Sequence, residues 1–297
     1  MLDPLDLQLK SKKKTLLEFF KTSRNVLTFL NFSTTDTLIS GDYRISKQKI
    51  EGSEKYLRPI NTKLFISDPI EFENKFLELL IVLGKIKARN FPILDEEKII
   101  IDSVLYTIQQ SIGAGFDLLL GSNSSRKHVG NRFEELVKAV FDEIGVSNKK
   151  TVLQIPYKTE DGEKIYKCEN DIILSPFDKV NSTSSFLDKD EIVVSAKTTS
   201  KDRMGKIFID KMLLETFVGH PQKVIGIFLN DVQRKESGGI SHTLVSGLFM
   251  VYTQFLTSLE GIYYLDPPPA ALKKPFSNHM KKFSDLVSVD IFELFSS

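Results

Sequence analysis

Apolar residues recur at helical spacing in the first part of the chain and at strand spacing further on. Leu16, Leu17, Phe19 and Phe20 follow the cations Lys10 and Lys12 to Lys14, which predicts a helix with a basic lead-in. Those lysines read either as a solvated helix end or as an arm that contacts phosphates. Phe72, Phe76, Leu79, Leu80 and Leu83 step by threes and fours within residues 68–86, a second helix. Residues 1–95 are therefore read as a helical N-terminal region, accessory to the rest or supplying dimer or DNA contacts, with Pro92 near its boundary.

Residues 96–297 carry a sharper pattern. A mostly apolar helix spans 99–120, and a polar loop follows at 121–128. Phe133, Leu136, Val137, Val140, Phe141 and Ile144 then mark an amphipathic helix. Strands are predicted at 152–155 and 164–174, joined by a turn at Asp161-Gly162, and again at 191–197 and 224–229. Helices are predicted at 202–218 and 247–259, a strand at 261–265, and helical periodicity at 276–295. The run Pro267-Pro268-Pro269 reads as a stiff connector. Helix, hairpin, strand, helix, strand argues for an α/β fold, a central mixed sheet flanked by helices.

Composition narrows the classes. Hydrophobic residues at 41% and charged residues at 27% are ordinary for a globular protein. A single cysteine, Cys168, excludes an internal disulfide framework and fits a reducing compartment. No apolar run reaches the ~20 residues needed to span a bilayer, and Met1-Leu2-Asp3-Pro4 lacks the order of a signal peptide. A cytoplasmic location is expected. A net charge of +1 argues against a protein that coats nucleic acid indiscriminately, while leaving room for a basic cleft offset by acids elsewhere.

The chemistry concentrates around two strands. Asp171 sits in the apolar run Ile172-Ile173-Leu174, where a carboxylate is costly unless a cation or hydrogen bonds compensate it. The next strand ends Val194-Ser195-Ala196-Lys197, and alternation puts Ser195 and Lys197 on one face. An acid closing one strand and a lysine closing the next is the layout of a metal-dependent phosphodiesterase site. The carboxylate holds a hard cation, and the amine steadies hydroxide or phosphate. Ser195 stands where a second acid is expected. Asp210 interrupts the apolar face of Ile207 and Leu214 on the following helix and can supply it, with Glu215 as the fallback. Glu134, in the first turn of its helix, reads either as a favourable dipole partner or as a remote metal-binding carboxylate, with Glu135 as the local competitor. His220, His242 and His279 lack metal-ligand spacing and are read as structural.

These residues resemble the PD-(D/E)xK nuclease superfamily, and within it the EcoRII-like and CCGG-cutting type II restriction endonucleases. Ser195-Ala196-Lys197 with Asp210 thirteen positions after the lysine is similar to that group's rearranged motif, although the group usually has glutamate at the helical position. Asn170-Asp171 stands where proline-aspartate is common. The tract Lys197-Thr198-Thr199-Ser200-Lys201-Asp202-Arg203 looks close to the EcoRII pattern, and Gly130-Asn131-Arg132-Phe133-Glu134 looks like that family's helix opening. The resemblance covers residues 125–230.

It implies a restriction-endonuclease-like core and a Mg²⁺-dependent endonuclease cutting double-stranded DNA at a short site containing C·G pairs. The enzyme would act as a homodimer or higher assembly and leave 5′-phosphates. Asp171, Asp210 and Glu134 would be the metal ligands and Lys197 the catalytic amine. Lys201 and Arg203 would donate to guanine and Asp202 would accept from cytosine, while Arg126, Lys127 and His128 would meet phosphates rather than bases. The same core also suits a repair or structure-selective nuclease, and serine in place of the acid suits a catalytically decayed DNA-binding module.

Overall fold

The computed structural model describes residues 4–33, 36–50, 53–119, 122–201, 203–235, 239–244 and 246–296. A mixed sheet forms the middle layer, in the order β12-β11-β8-β7-β6-β5. Its strands are β5 (Ser147–Thr159), β6 (Gly162–Ser175), β7 (Ile192–Thr199), β8 (Lys223–Asn230), β11 (Gly261–Tyr264) and β12 (Met280–Lys282). The first three pair antiparallel; β7, β8, β11 and β12 run parallel. The β5–β6 hairpin turns at Gly162, whose φ of 116° suits glycine.

Alternation along each strand feeds two apolar layers. Ile172, Leu174, Val194, Ala196, Ile225 and Ile227 face one core, shared with helices α4 (Asp95–Leu119) and α5 (Ser122–Glu143). Ile173, Val193, Val224 and Phe228 face the other, against Ile207, Phe208 and Leu214 of α6 (Met204–Val218) and Phe249 of α7 (Ser246–Phe255). The result is three layers, helices on both faces of the sheet.

The N-terminal region contributes α1 (Leu5–Lys10), α2 (Leu16–Ser33) and α3 (Pro69–Lys87). Helix α3 starts where its sequence says it should. Asp68 accepts hydrogen bonds from the Ile70 and Glu71 amides at 2.9 and 2.8 Å, and proline follows directly. The buried face of α3 includes Phe72, Phe76, Leu79 and Leu83, as the spacing predicts. Leu9, Leu16, Phe19 and Val26 join the same core as α4 and α5, so packing runs without a break across residue 95.

Several features depart from the sequence reading. The N-terminal region also holds a small antiparallel sheet of β1 (Asp36–Ser40), β2 (Tyr43–Ile50), β3 (Ser53–Tyr56) and β4 (Ile60–Asn61). A hairpin of β9 (Val232–Arg234) and β10 (Ile240–His242) follows β8. The predicted 121–128 loop is largely helical, because α5 begins at Ser122. Ser125 Oγ donates to Asp117 at 2.8 Å and His128 stacks on Phe116 at 5.2 Å, which anchors that first stretch to α4. Within the tail, Met280–Lys282 forms the edge strand β12 before helical turns resume. Lys13 is buried and donates to the Gln8 and Ser11 carbonyls at 2.6 and 3.1 Å, so it closes the end of α1 and does not serve as a phosphate arm. Burial and the neighbouring Arg132 charge push its pKa down to about 8.

Candidate active site

Strand register brings the central acid and lysine together. Ile172 on β6 pairs with Val194 on β7, so Asp171 lies beside Ser195, and Lys197 follows one step along the same face. The Lys197 ammonium donates to Asp171 Oδ2 at 2.5 Å, and the Ala196 amide donates to the same oxygen at 3.0 Å. Asp171 is buried, and these two bonds compensate the charge that its apolar neighbours would otherwise penalise.

Glu134 reaches the lysine from α5. Its Oε1 is 3.6 Å from Lys197 Nζ, and its Oε2 is 3.6 Å from Lys150 Nζ on β5. Burial and then the charge of Asp171 raise the pKa of Glu134, with the two lysines pulling the other way. Glu135 is engaged elsewhere, accepting from Arg132 at 3.0 Å and from the Lys13 amide at 3.0 Å. Of the two adjacent glutamates, Glu134 is the one at the lysine.

Asp210 lines the same cleft as Asp171, Ser195 and Lys197, a space of about 350 Å³ between β6, β7 and α6. It is held by Lys206 one helical turn earlier, with Nζ at 2.6 and 2.5 Å from its two oxygens. Burial opposes the Lys206 ammonium, but the hydrogen bond and charge of Asp210 outweigh it and raise its pKa. Glu215 does not reach the cleft. It accepts from the Gln222 amide at 3.2 Å and lies 3.8 Å from Lys211, because its position on α6 faces the start of β8.

A second, larger hollow of about 930 Å³ opens on the other side of Lys197. Arg58, Arg126, Lys201 and Arg203 bring positive charge to it, and Glu134, Gln110 and Gln233 also contribute. Arg203 and Lys197 border both spaces. Lys201 is exposed and donates to Gln233 Oε1 at 3.3 Å. Lys127 is exposed on α5, whereas Asp202 falls outside the described residues. Among the described histidines, His220 bonds the Leu187 carbonyl at 3.1 Å and His279 sits edge-on to Phe249, both structural contacts.

Sequence reasoning missed Lys150, Lys206, Arg58 and Gln233. Lys206 was findable, since it precedes Asp210 by four on one helix. Arg58 was not. It belongs to the N-terminal region and arrives only through tertiary packing, paired with Asp117 by two bonds of 2.9 Å.

The donor set suits a hard divalent ion. Asp171 and Asp210 line one cleft, and Glu134 stands 3.6 Å from Lys197 at its edge. Among the described residues no three acidic, histidine or cysteine side chains make a ready-built cage. Magnesium commonly takes only one or two carboxylates, with water and substrate phosphate completing its shell.

Solved structures supply the comparison. The crystal structure of the type IIP restriction endonuclease Kpn2I matches over 95% of this chain and 91% of that one, with a TM-score of 0.67 and 16% identity. The chain has a restriction-endonuclease-like fold. A complex of the restriction endonuclease PspGI with substrate DNA matches over 76% of this chain and 91% of that one, at a TM-score of 0.43 and 12% identity. No family model matches the chain, and neither does any curated protein. Among the described residues no helix is long and apolar enough to cross a membrane.

Proposed function

We propose that this protein is a type II restriction endonuclease of the PD-(D/E)xK superfamily, in its EcoRII-like and CCGG-cutting group. It hydrolyses phosphodiester bonds of double-stranded DNA with Mg²⁺ at a short site containing C·G pairs. The observation that carries the reading is Lys197 at 2.5 Å from Asp171 and 3.6 Å from Glu134, beside a groove edged with arginine and lysine on a restriction-endonuclease-like fold.

Asp171 and Asp210 would hold Mg²⁺, with Glu134 assisting. When bound, the ion would supply a Lewis acid for the phosphate and lower the pKa of its water. Lys197 donates to Asp171, and in the reaction its ammonium would orient the attacking water or steady a phosphate oxygen. The Ala196 amide keeps Asp171 oriented throughout. Arg58 and Arg126 hold the sugar-phosphate backbone along the groove, with Lys127 nearby on the same helix as Arg126. Lys201, Asp202 and Arg203 read C·G pairs in the major groove. A homodimer would place two such sites on a palindromic duplex in a cytoplasmic enzyme, each subunit cutting one strand and leaving a 5′-phosphate.

The test is incubation with unmethylated plasmid and Mg²⁺, followed by sequencing of the ends. Discrete fragments with one shared end sequence are expected, abolished in Asp171→Asn. Intact plasmid across Mg²⁺ and Mn²⁺ concentrations, from a folded preparation, would remove the proposal.

A further inference from the structure

The β9–β10 hairpin takes no part in the chemistry above, yet it is fastened into the groove from both sides. Asp231, fully buried, accepts from Ser200 Oγ and the Thr243 amide at 2.6 Å each and from Thr243 Oγ1 at 2.9 Å; the Leu244 amide also donates to it. One carboxylate therefore ties both ends of the hairpin to the turn that follows Lys197. On the outer side the N-terminal sheet braces it. The Ile240 amide donates to Ser40 Oγ at 3.2 Å, and the Arg234 guanidinium lies 4.9 Å over the Tyr56 ring.

Between these anchors stands Gln233, the middle residue of β9, in register with Ser241. It borders the groove, and its Oε1 accepts from Lys201 at 3.3 Å. The major groove of duplex DNA admits a two-stranded ribbon, and a side-chain amide offers the donor and acceptor that match adenine N6 and N7. Neither lysine nor arginine can do this, because neither carries an acceptor. Fixing a short ribbon at both ends costs ordering entropy before binding, which is what a base-reading element requires.

We propose that Gln233 is a specificity-determining residue that reads the adenine of an A·T pair next to the C·G pairs read from the Lys201 side. The proposal rests on the DNA reading of this groove and is independent of whether the protein cuts.

The experiment is selection of binding duplexes from a randomised pool in EDTA, where no cleavage occurs, followed by sequencing. Wild type is expected to enrich a motif with an A·T pair beside C·G pairs. Gln233→Ala is expected to lose preference at that pair alone, by about tenfold to a hundredfold, a fold-change in line with one bidentate contact. Gln233→Glu, close in shape but carrying only acceptors, is expected to shift the preference toward a base pair offering cytosine N4. Melting curves matching wild type show that both variants keep the fold. Identical motifs from all three proteins would overturn the proposal, and so would a wild-type motif lacking A·T or a wild type that enriches nothing. A protein that enriches the motif but leaves plasmid intact with Mg²⁺ would refute the nuclease reading while leaving Gln233 its role.

Discussion

Replacing Lys197 by methionine tests its proposed catalytic role apart from its part in folding. The amine bonds Asp171 at 2.5 Å and lies 3.6 Å from Glu134, so its loss leaves two carboxylates facing each other with Lys150 as the remaining screen. A fully buried ion pair broken on one side costs about 3–5 kcal/mol, and an exposed one about 0–1 kcal/mol. The Lys197 side chain is 33% exposed, so the penalty falls between those limits, at about 2 kcal/mol. The catalytic loss is larger. A positioned proton-handling or charge-stabilising group contributes roughly 100- to 10,000-fold, or about 3–5 kcal/mol of barrier. Single-turnover cleavage at saturating enzyme, set beside thermal melts of the same samples, measures both. Lys197→Met is expected to melt a few degrees lower, bind DNA as wild type does, and cut at least a hundredfold more slowly. A variant that cuts within tenfold of wild type would refute the assignment of Lys197 to the reaction.

Three further outcomes follow from contacts away from the cleft. A methyl group at Gly113 would sit 2.0 Å from Arg58 Nη1, so Gly113→Ala must push the guanidinium off Asp117. A loss of about 1–3 kcal/mol and weaker, less salt-sensitive DNA binding are expected in denaturant melts and salt titrations. Asp231→Ala strands the Ser200 and Thr243 donors in a buried site, and chemical unfolding should report a loss of about 2–4 kcal/mol together with relaxed site preference. Burial pushes Asp102 up to about 7, opposed by hydrogen bonds from Ser284. Its folded pKa is above the unfolded value, so its contribution is complete below about pH 4 and fades as pH rises through 7, by at most about 4 kcal/mol. Asp102→Asn keeps the acceptor for the Ser284 amide and gains a donor for its hydroxyl, and melting temperatures between pH 5 and 8 should lose that decline.

What could be read from the sequence was what strand alternation and helical spacing fix locally. Asp171 and Lys197 were legible because each ends or interrupts an apolar run, and the register of β6 on β7 brings them to one face. Asp210 was legible as a break in the stripe of α6. The small N-terminal sheet was not, because β1, β2 and β3 are rich in polar residues and β4 is two residues long. The start of α5 was hidden by its composition. Serine and asparagine read as loop, whereas the packing of His128 on Phe116 and the Ser125–Asp117 bond, both set by tertiary structure, anchor that stretch to α4. Strand β12 has three residues, too few for any period to show.

The same limits explain why residues 1–95 were read as an accessory helical region. Its helices have good local patterns and need no neighbour to be recognised, but the faces those patterns define are buried against α4 and α5. Leu9, Phe19, Phe72 and Phe76 lie in one core with Ile101 of α4, Phe133 of α5 and Val194 of β7. Exposing each such side chain costs about 1.5–3 kcal/mol, and a handful of them equals the whole stability of an ordinary domain. The groove is joint property in the same way. Arg58 comes from the N-terminal region, is oriented by Asp117 on α4, and borders the hollow that Lys197 borders from β7 and Arg203 from the start of α6. Tyr43 on β2 donates to Asp266 just after β11, and Tyr56 on β3 lies under Arg234 of the hairpin. Residues 1–95 thus set the position of one groove wall, and through the hairpin they set where Gln233 stands relative to Lys201.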